Sequence, residues 1–255
     1  MSTLSNFVSS AVEKLLFHPV TITHAETIGR SFRRVRLQGE IFKGVKWVPG
    51  QAVQFYLGNL TKRAYTPMEM EADAGSAEFL FYIHGGGPGS AWAESLKKGD
   101  ACKVMRPKDS LDFTNFAGRA IFFGDETSMA AAYALQSCRR AEVRPRFVLE
   151  VTSASEAKSV ADRLRLADVT LCQRTGEAEH LEDVVRKLAQ SAGGDAEEAG
   201  DSDQTEQFGE RVSQWIFTGQ AQSIQRVQKG LKGLGVELRK SKVRAYWSPG
   251  KTGMD

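Results

Sequence analysis

The apolar residues of this chain change their period near residue 115, and that change limits the folds open to it. From Val20 to about Asp112 they come in short alternating runs cut by Gly, Pro and polar turns, so that 20–23, 32–37, 52–57, 78–83 and 102–105 each read as a strand. Pro49-Gly50 supplies one of the turns. Short strands at this spacing predict a small antiparallel barrel of the six-stranded type. After Thr114-Asn115 the pattern becomes one of alternating strands and helices, with strands at 119–123, 146–151, 168–171, 214–218 and 242–246 and helices at 128–140, 181–188 and 223–231. A doubly wound α/β domain with a parallel sheet is expected there. At 255 residues the chain is long enough for both, each with its own core, and the expected bounds are 19–115 and 116–255.

Two segments stand outside these domains. Residues 1–18 place Leu4, Phe7, Val8, Val12, Leu15 and Leu16 on one helical face, a short amphipathic helix that lacks the basic start and unbroken apolar run of a signal peptide. Such a helix packs as an arm on its own domain or on a partner subunit, or lies on a membrane surface. No later stretch has the length of a membrane span, so insertion is not expected and the cytoplasm is the expected compartment. Residues 191–207 are acidic, small-sided and nearly free of large apolar groups, which predicts a flexible surface loop.

The formal charge of +3 gives the chain no overall polybasic character of the kind that nucleic acid demands. Cys102, Cys138 and Cys172 lie far apart and in no metal-ligand spacing, which suits reduced thiols and offers no protein-held metal site.

The chemistry is carried by two motifs in the first domain. Arg63-Ala64-Tyr65-Thr66-Pro67 offers a guanidinium for a phosphate and, from an extended segment, side chains that pack on or hydrogen-bond a flavin ring. His84-Gly-Gly-Gly-Pro-Gly-Ser-Ala-Trp92 runs a glycine-rich turn straight into a helix start. Free backbone N–H groups of such a turn, and the helix dipole behind them, favour an anion. Together they read as the two halves of a flavin dinucleotide site, with Gly86, Gly87, Gly89 and Ser90 as diphosphate donors. His84 either caps its strand or contacts the flavin, and Trp92 either covers the adenine end or fills core. Gly124-Asp125-Glu126-Thr127 follows a strand and opens a helix. This is where open α/β sheets bind ligands, although a helix capped by Asp125 or Thr127 accounts for the same residues and no G-x-G-x-x-G is present.

In their order and separation, with Trp47-Val-Pro-Gly-Gln51 before them and the terminal Tyr246-Trp247 after them, these motifs resemble those of the siderophore-interacting proteins, which are ferredoxin reductase-like flavoproteins. The resemblance runs from about Phe17 to Gly250. It implies that Arg63 binds the FAD diphosphate, that Tyr65 and Thr66 contact the flavin, and that Asp125 and Thr127 line the side that receives NADH or NADPH. The family continues its Gly-Asp-Glu-Thr with a small apolar residue, Leu and Pro, where this chain has Ser128-Met129-Ala130, and its Tyr-Trp-Arg end appears here as Tyr246-Trp247-Ser248, with Lys251 close by.

The implied activity is transfer of electrons from NAD(P)H through FAD to Fe(III) in a siderophore, with no catalytic side chain required and iron carried by the substrate. The basic C-terminal segment, Arg226, Lys229, Lys232, Arg239, Lys240, Lys242 and Arg244 against Glu237, would attract an anionic ferric chelate. Lys240, Lys242, Arg244 and Trp247 are the expected substrate contacts. The alternatives are a flavin oxidoreductase with another acceptor, such as a ferredoxin, a siderophore-binding flavoprotein without activity, and a flavin-free binding protein. Glu150, placed after a strand, could disfavour a 2′-phosphate on the donor.

Overall fold

A computed structural model describes residues 16–58, 61–115, 118–139, 144–193, 212–239 and 241–251. Residues 1–15 of the amphipathic helix expected over 1–18 and most of the acidic loop at 191–207 lie outside them, and His18 belongs to the first strand. The chain divides into two compact units, with the division between Asp112 and Phe113.

Unit 1 is a seven-stranded antiparallel sheet. Its strands are β1 (His18–Ile28), β2 (Phe32–Gln38), β3 (Val53–Gly58), β4 (Thr61–Tyr65), β5 (Glu69–Glu71), β6 (Ser76–Tyr82) and β7 (Ala101–Val104), in the order β4-β3-β7-β1-β2-β6-β5. The barrel-type architecture expected from the alternation is present. The three-residue edge strand β5, too short to register as a periodic run, brings the ladder to seven. Val35 and Leu37 of β2 and Ala77, Phe79 and Phe81 of β6 point into one core with Val53 and Phe55 of β3. The opposite face of β6 carries Glu78, buried because Arg34 of β2 reaches it at 2.6 Å and Arg36 at 3.6 Å.

Between β6 and β7 lies one helix, α1 (Pro88–Ser95), which starts with Gly87 as N-cap and a proline in its first turn. Its inner side adds Ala93 and Trp92 to the aromatic core.

Unit 2 is a five-stranded sheet in which every pair is parallel. Its strands are β8 (Arg119–Asp125), β9 (Arg146–Val151), β10 (Val169–Gln173), β11 (Val212–Gln220) and β12 (Lys242–Trp247), in the order β10-β9-β8-β11-β12. The connecting helices are α2 (Met129–Ser137), α3 (Ala154–Arg163), α4 (His180–Gly193) and α5 (Ala221–Gly233). The order reverses at β8, from which the chain winds outward to β10 and then returns to β11, so the sheet is doubly wound as expected. In open sheets of this kind ligands bind where the order reverses, here at the carboxyl ends of β8 and β11.

Ile121, Phe123, Val148 and Phe217 of the sheet pack against Val184 and Leu188 of α4 and Val227 and Leu231 of α5. Gly230 lets the two helices approach: a Cβ there would stand 2.7 Å from Val185 Cγ2. The sequence reading missed α3, which buries only Ala157, Val160 and Ala161 and so shows a thin apolar stripe. Its signal was the start Ser153-x-x-Glu156, where the Ser153 hydroxyl accepts the Glu156 N–H at 3.4 Å.

Candidate functional site

In unit 1 the two motifs meet. Arg63 and Tyr65 are two residues apart on β4 and therefore share a face, and the start of α1 lies against that face. A Cβ added to Gly89 would stand 2.7 Å from Tyr65 Oη and 3.5 Å from Arg63 Cγ, so only glycine permits this approach. The Tyr65 ring is held edge-on by Phe55 and Phe81, at centroid distances of 5.6 and 4.7 Å. Arg63 is half-buried and donates from Nη1 to its neighbour's carbonyl, Lys62 O, at 2.7 Å. Thr66, just beyond the strand, is buried.

The glycine-rich loop is folded by Ser90. Its hydroxyl oxygen accepts the backbone N–H groups of His84 at 3.0 Å and of Gly85 at 3.1 Å, while Gly85 takes φ +77 to make the bend. Ser90 thus shapes the loop as well as standing next to it. Among the described residues the N–H groups of Gly86, Gly87 and Gly89 meet no protein acceptor. The exposed His84 ring leans over the loop, 3.5 Å from where a Gly87 Cβ would be. Trp92 packs edge-on to Phe55 and Phe81 at 5.3 and 5.7 Å, so it contributes to the core, with the indole half-buried. An arginine whose Cγ would meet a Cβ at position 89, next to a glycine turn whose N–H groups are left without a protein acceptor, fits the diphosphate of FAD.

In unit 2 the carboxyl ends of all five strands converge on a buried polar cluster centred on Asp125. Asp125 is fully buried and caps the 3-10 turn Glu126–Ser128 that leads into α2. Its Oδ1 accepts the Thr127 N–H at 2.9 Å and the Thr127 hydroxyl, and its own N–H donates to Ser128 Oγ at 3.2 Å. The Trp247 indole, at the end of β12, donates to Oδ2 at 2.7 Å. Gly219 of β11, at φ +97, packs so closely that a Cβ would stand 2.5 Å from the same oxygen. Burial pushes the Asp125 carboxyl up to about 6, against the pull of the Thr127 hydrogen bond and of Arg174. The capped turn weighed from the sequence is therefore the geometry found. The Asp125 carboxylate faces inward, while Thr127 is half-buried.

Two further carboxylates join it, Glu126 and, from β9, Glu150. Arg174, immediately past β10, places Nη1 2.8 Å from Glu126 Oε2 and Nη2 3.8 Å from Asp125 Oδ2 and 3.7 Å from Glu150 Oε1. Burial opposes its charge, but the three carboxylates together hold the guanidinium more firmly protonated than usual. His180, at the start of α4, lies 2.9 Å from Glu150 Oε2 through Nε2, and its Nδ1 accepts the Thr175 N–H at 3.1 Å. An accepting Nδ1 leaves the proton on Nε2, so His180 is a neutral donor to Glu150. Glu150 is thus enclosed, and its carboxylate is not presented to a ligand.

Arg174 and His180 were not found from the sequence. The available signal was that Asp125, Glu126 and Glu150 end strands legible as buried, and buried acids require a cation. Of the expected chelate contacts, Lys242 and Arg244 are half-buried on the edge strand β12, Trp247 commits its N–H to Asp125, and Lys240 lies outside the described residues. Among the described residues no group of His, Cys, Asp and Glu could hold a metal ion, and no helix is long and apolar enough to cross a membrane.

The comparisons with known proteins agree with this division of labour. A family model described as siderophore-interacting FAD-binding domain matches residues 58–111, and one described as siderophore-interacting protein matches residues 117–250. No curated protein sequence matches the chain. Among solved structures, a siderophore utilization protein from T. fusca is 20% identical, with 94% of this chain and 95% of that one covered at a TM-score of 0.70. The siderophore-interacting protein SipS from Aeromonas hydrophila is also 20% identical, with 93% of each chain covered at 0.69. The ferredoxin reductase in carbazole 1,9a-dioxygenase is 13% identical, with 91% of this chain and 69% of that one covered at 0.69. At these identities the structures speak for the fold: a flavin-binding barrel followed by a nucleotide-binding α/β domain. FAD is the cofactor that the first domain takes. The two family models, one on each unit and the second spanning more than half of the sequence, establish that the chain belongs to the siderophore-interacting protein family.

Proposed function

We propose that the protein is an FAD-dependent ferric-siderophore reductase that draws electrons from NADH or NADPH and delivers them to chelated Fe(III) in the cytoplasm. The observation that carries this reading is the approach of Gly89 to Tyr65 and Arg63, which joins the two cofactor motifs into one anion cradle in a chain of this family. The balanced reaction takes one NAD(P)H and two ferric chelates to NAD(P)⁺, a proton and two ferrous chelates. FAD supplies the step between a two-electron donor and a one-electron acceptor. Ferrous iron is held far less tightly by such chelators, so reduction releases it.

The chain's own residues bind and orient. Arg63 and the N–H groups of Gly86, Gly87 and Gly89 would hold the diphosphate, Ser90 would keep the loop folded, and Ala64, Tyr65, Thr66 and His84 would flank the ring system. The turn from Asp125 to Ser128 would shape the donor site. With Glu150 enclosed by His180 and Arg174, that carboxylate does not discriminate against a 2′-phosphate, which leaves both NADH and NADPH as donors. Arg226, Lys229 and Lys232 are exposed along α5, and with Lys240, Lys242 and Arg244 they would draw in an anionic chelate over the roughly 8 Å that physiological salt allows. Trp247 would contribute its ring, since its N–H is taken.

Donor oxidation with different acceptors tests the reading. Turnover with ferric catecholate or hydroxycarboxylate siderophores, with the ferrous product trapped by a colorimetric chelator, supports it. Turnover with a ferredoxin alone would instead mark a ferredoxin reductase-like enzyme, and siderophore binding without donor oxidation would mark a flavoprotein that only binds.

A further inference from the structure

Asp125, Glu126 and Glu150 are all buried, and among the described residues Arg174 is the one cation within ion-pair distance of all three. His180, with its Nδ1 occupied by the Thr175 N–H, adds a donor to Glu150 and no charge. A cluster of this kind contributes little net stability compared with well-packed apolar residues, whereas removing one partner leaves a charge stranded. Its consequence is geometric. The Asp125 carboxylate touches three strand ends: it caps the turn after β8, takes the indole N–H of Trp247 at the end of β12, and lies directly beneath Gly219 at the end of β11. Arg174 also holds Glu126, which accepts the N–H of Thr152 just past β9, and donates to the Thr152 hydroxyl at 3.1 Å. One guanidinium therefore braces the carboxyl edge along which an open α/β sheet receives its ligand.

We propose that Arg174 is a positioning residue for the nicotinamide donor: by hydrogen-bonding Glu126 and standing within ion-pair reach of Asp125 at 3.8 Å it sets the turn after β8 and, through Asp125, the indole of Trp247. The proposal rests on the reading of unit 2 as the donor-binding domain. A displacement of about 1 Å at this edge is enough to misplace a bound dinucleotide. Loss of Arg174 acts on donor affinity more than on the limiting rate, because its polar contacts are with the protein's own carboxylates and Thr152.

The test uses the FAD-loaded protein labelled with 15N at its indoles, the Trp247 signal being assigned with Trp247→Phe. In Arg174→Met that signal shifts or broadens while those of Trp47 and Trp92, in unit 1, stay in place. The NADH or NADPH concentration for half-maximal flavin reduction rises about tenfold, the limiting rate changes less than about threefold, and FAD content is unchanged. Arg174→Lys restores part of the affinity, since a point charge replaces the planar fork, and it carries the test if the Met variant does not fold. A folded variant whose Trp247 signal stays put overturns the proposal, as does one whose signal moves while donor dependence is unaltered. A wild-type flavin that neither dinucleotide reduces overturns the reading of unit 2, and the proposal with it. That case is recognisable because the Trp247 signal still answers to Arg174.

Discussion

Trp247 and Asp125, 122 residues apart, are joined by a 2.7 Å hydrogen bond from indole to buried carboxylate, so the last strand of the sheet is tied to the turn after its first. Trp247→Phe keeps most of the ring and removes the donor. A hydrogen bond to a charged group contributes about 1.5 to 3 kcal/mol, and that is the expected loss in urea or thermal unfolding. In a double-mutant cycle with Asp125→Asn the pair should show a coupling on the order of 1 kcal/mol, and additive losses would mean that the contact carries no energy of its own.

Asp125 also makes unit 2 sensitive to pH in an unusual direction. Its carboxyl is pushed up to about 6 by burial, above the ordinary value of 3.8 that it regains on unfolding. The folded state therefore binds the extra proton between these values, and this group's contribution to stability falls as pH rises from about 4 to about 6. A shift of this size corresponds to roughly 3 kcal/mol at 1.36 kcal/mol per unit. Burial raises the Glu69 carboxyl of unit 1 as well, so the observable is the difference between wild type and Asp125→Asn. Relative to the variant, the wild type should lose stability across that window and run parallel to it above about pH 7.

Gly89→Ala is expected to weaken FAD binding without unfolding the protein. The added methyl would stand 2.7 Å from Tyr65 Oη and force β4 and the start of α1 apart. Tyr65→Phe in the same chain removes that oxygen and should restore part of the affinity. Arg63→Ala, which would remove the proposed charge-assisted contact to the diphosphate, should lower FAD affinity about ten- to hundredfold. Flavin fluorescence recovery on dilution reads all of these, and affinity unchanged in Gly89→Ala would show that the cradle lies elsewhere.

The thiols separate cleanly by environment. Cys102 is buried and its thiol is pushed up to about 12, and burial raises Cys172 as well, whereas Cys138 is exposed. A disulfide reagent at pH 8 should label one thiol per folded chain and three after denaturation. Mass spectrometry should place the single label on Cys138.

The architecture was legible because it rests on repeated signals. Alternation in 32–37 and 78–83, and the apolar runs at 119–123 and 214–218, mark their strands wherever the partners lie. The two motifs that meet at Gly89 were legible because Arg63-Ala-Tyr-Thr and the glycine loop are each contiguous. What escaped depends on contacts between distant segments: Arg174 and His180 follow β10 in an ordinary polar loop and helix start, and nothing near them in the chain announces three carboxylates across the sheet. The Ser90 hydroxyl, read as a ligand donor, also folds its own loop, a role that depends on where His84 and Gly85 aim their N–H groups. Strand β5 and helix α3 escaped for a simpler reason, having too few large apolar residues to set a period.

The central claim, that this chain passes electrons from a nicotinamide to siderophore iron through its flavin, is tested most directly by following the visible spectrum under anaerobic conditions. The purified protein should be yellow, release FAD on denaturation, bleach on addition of NADH or NADPH, and regain its colour when a ferric siderophore is added, with two ferrous ions trapped per flavin reoxidised. A flavin that bleaches and then stays reduced in the presence of ferric siderophore would contradict the account.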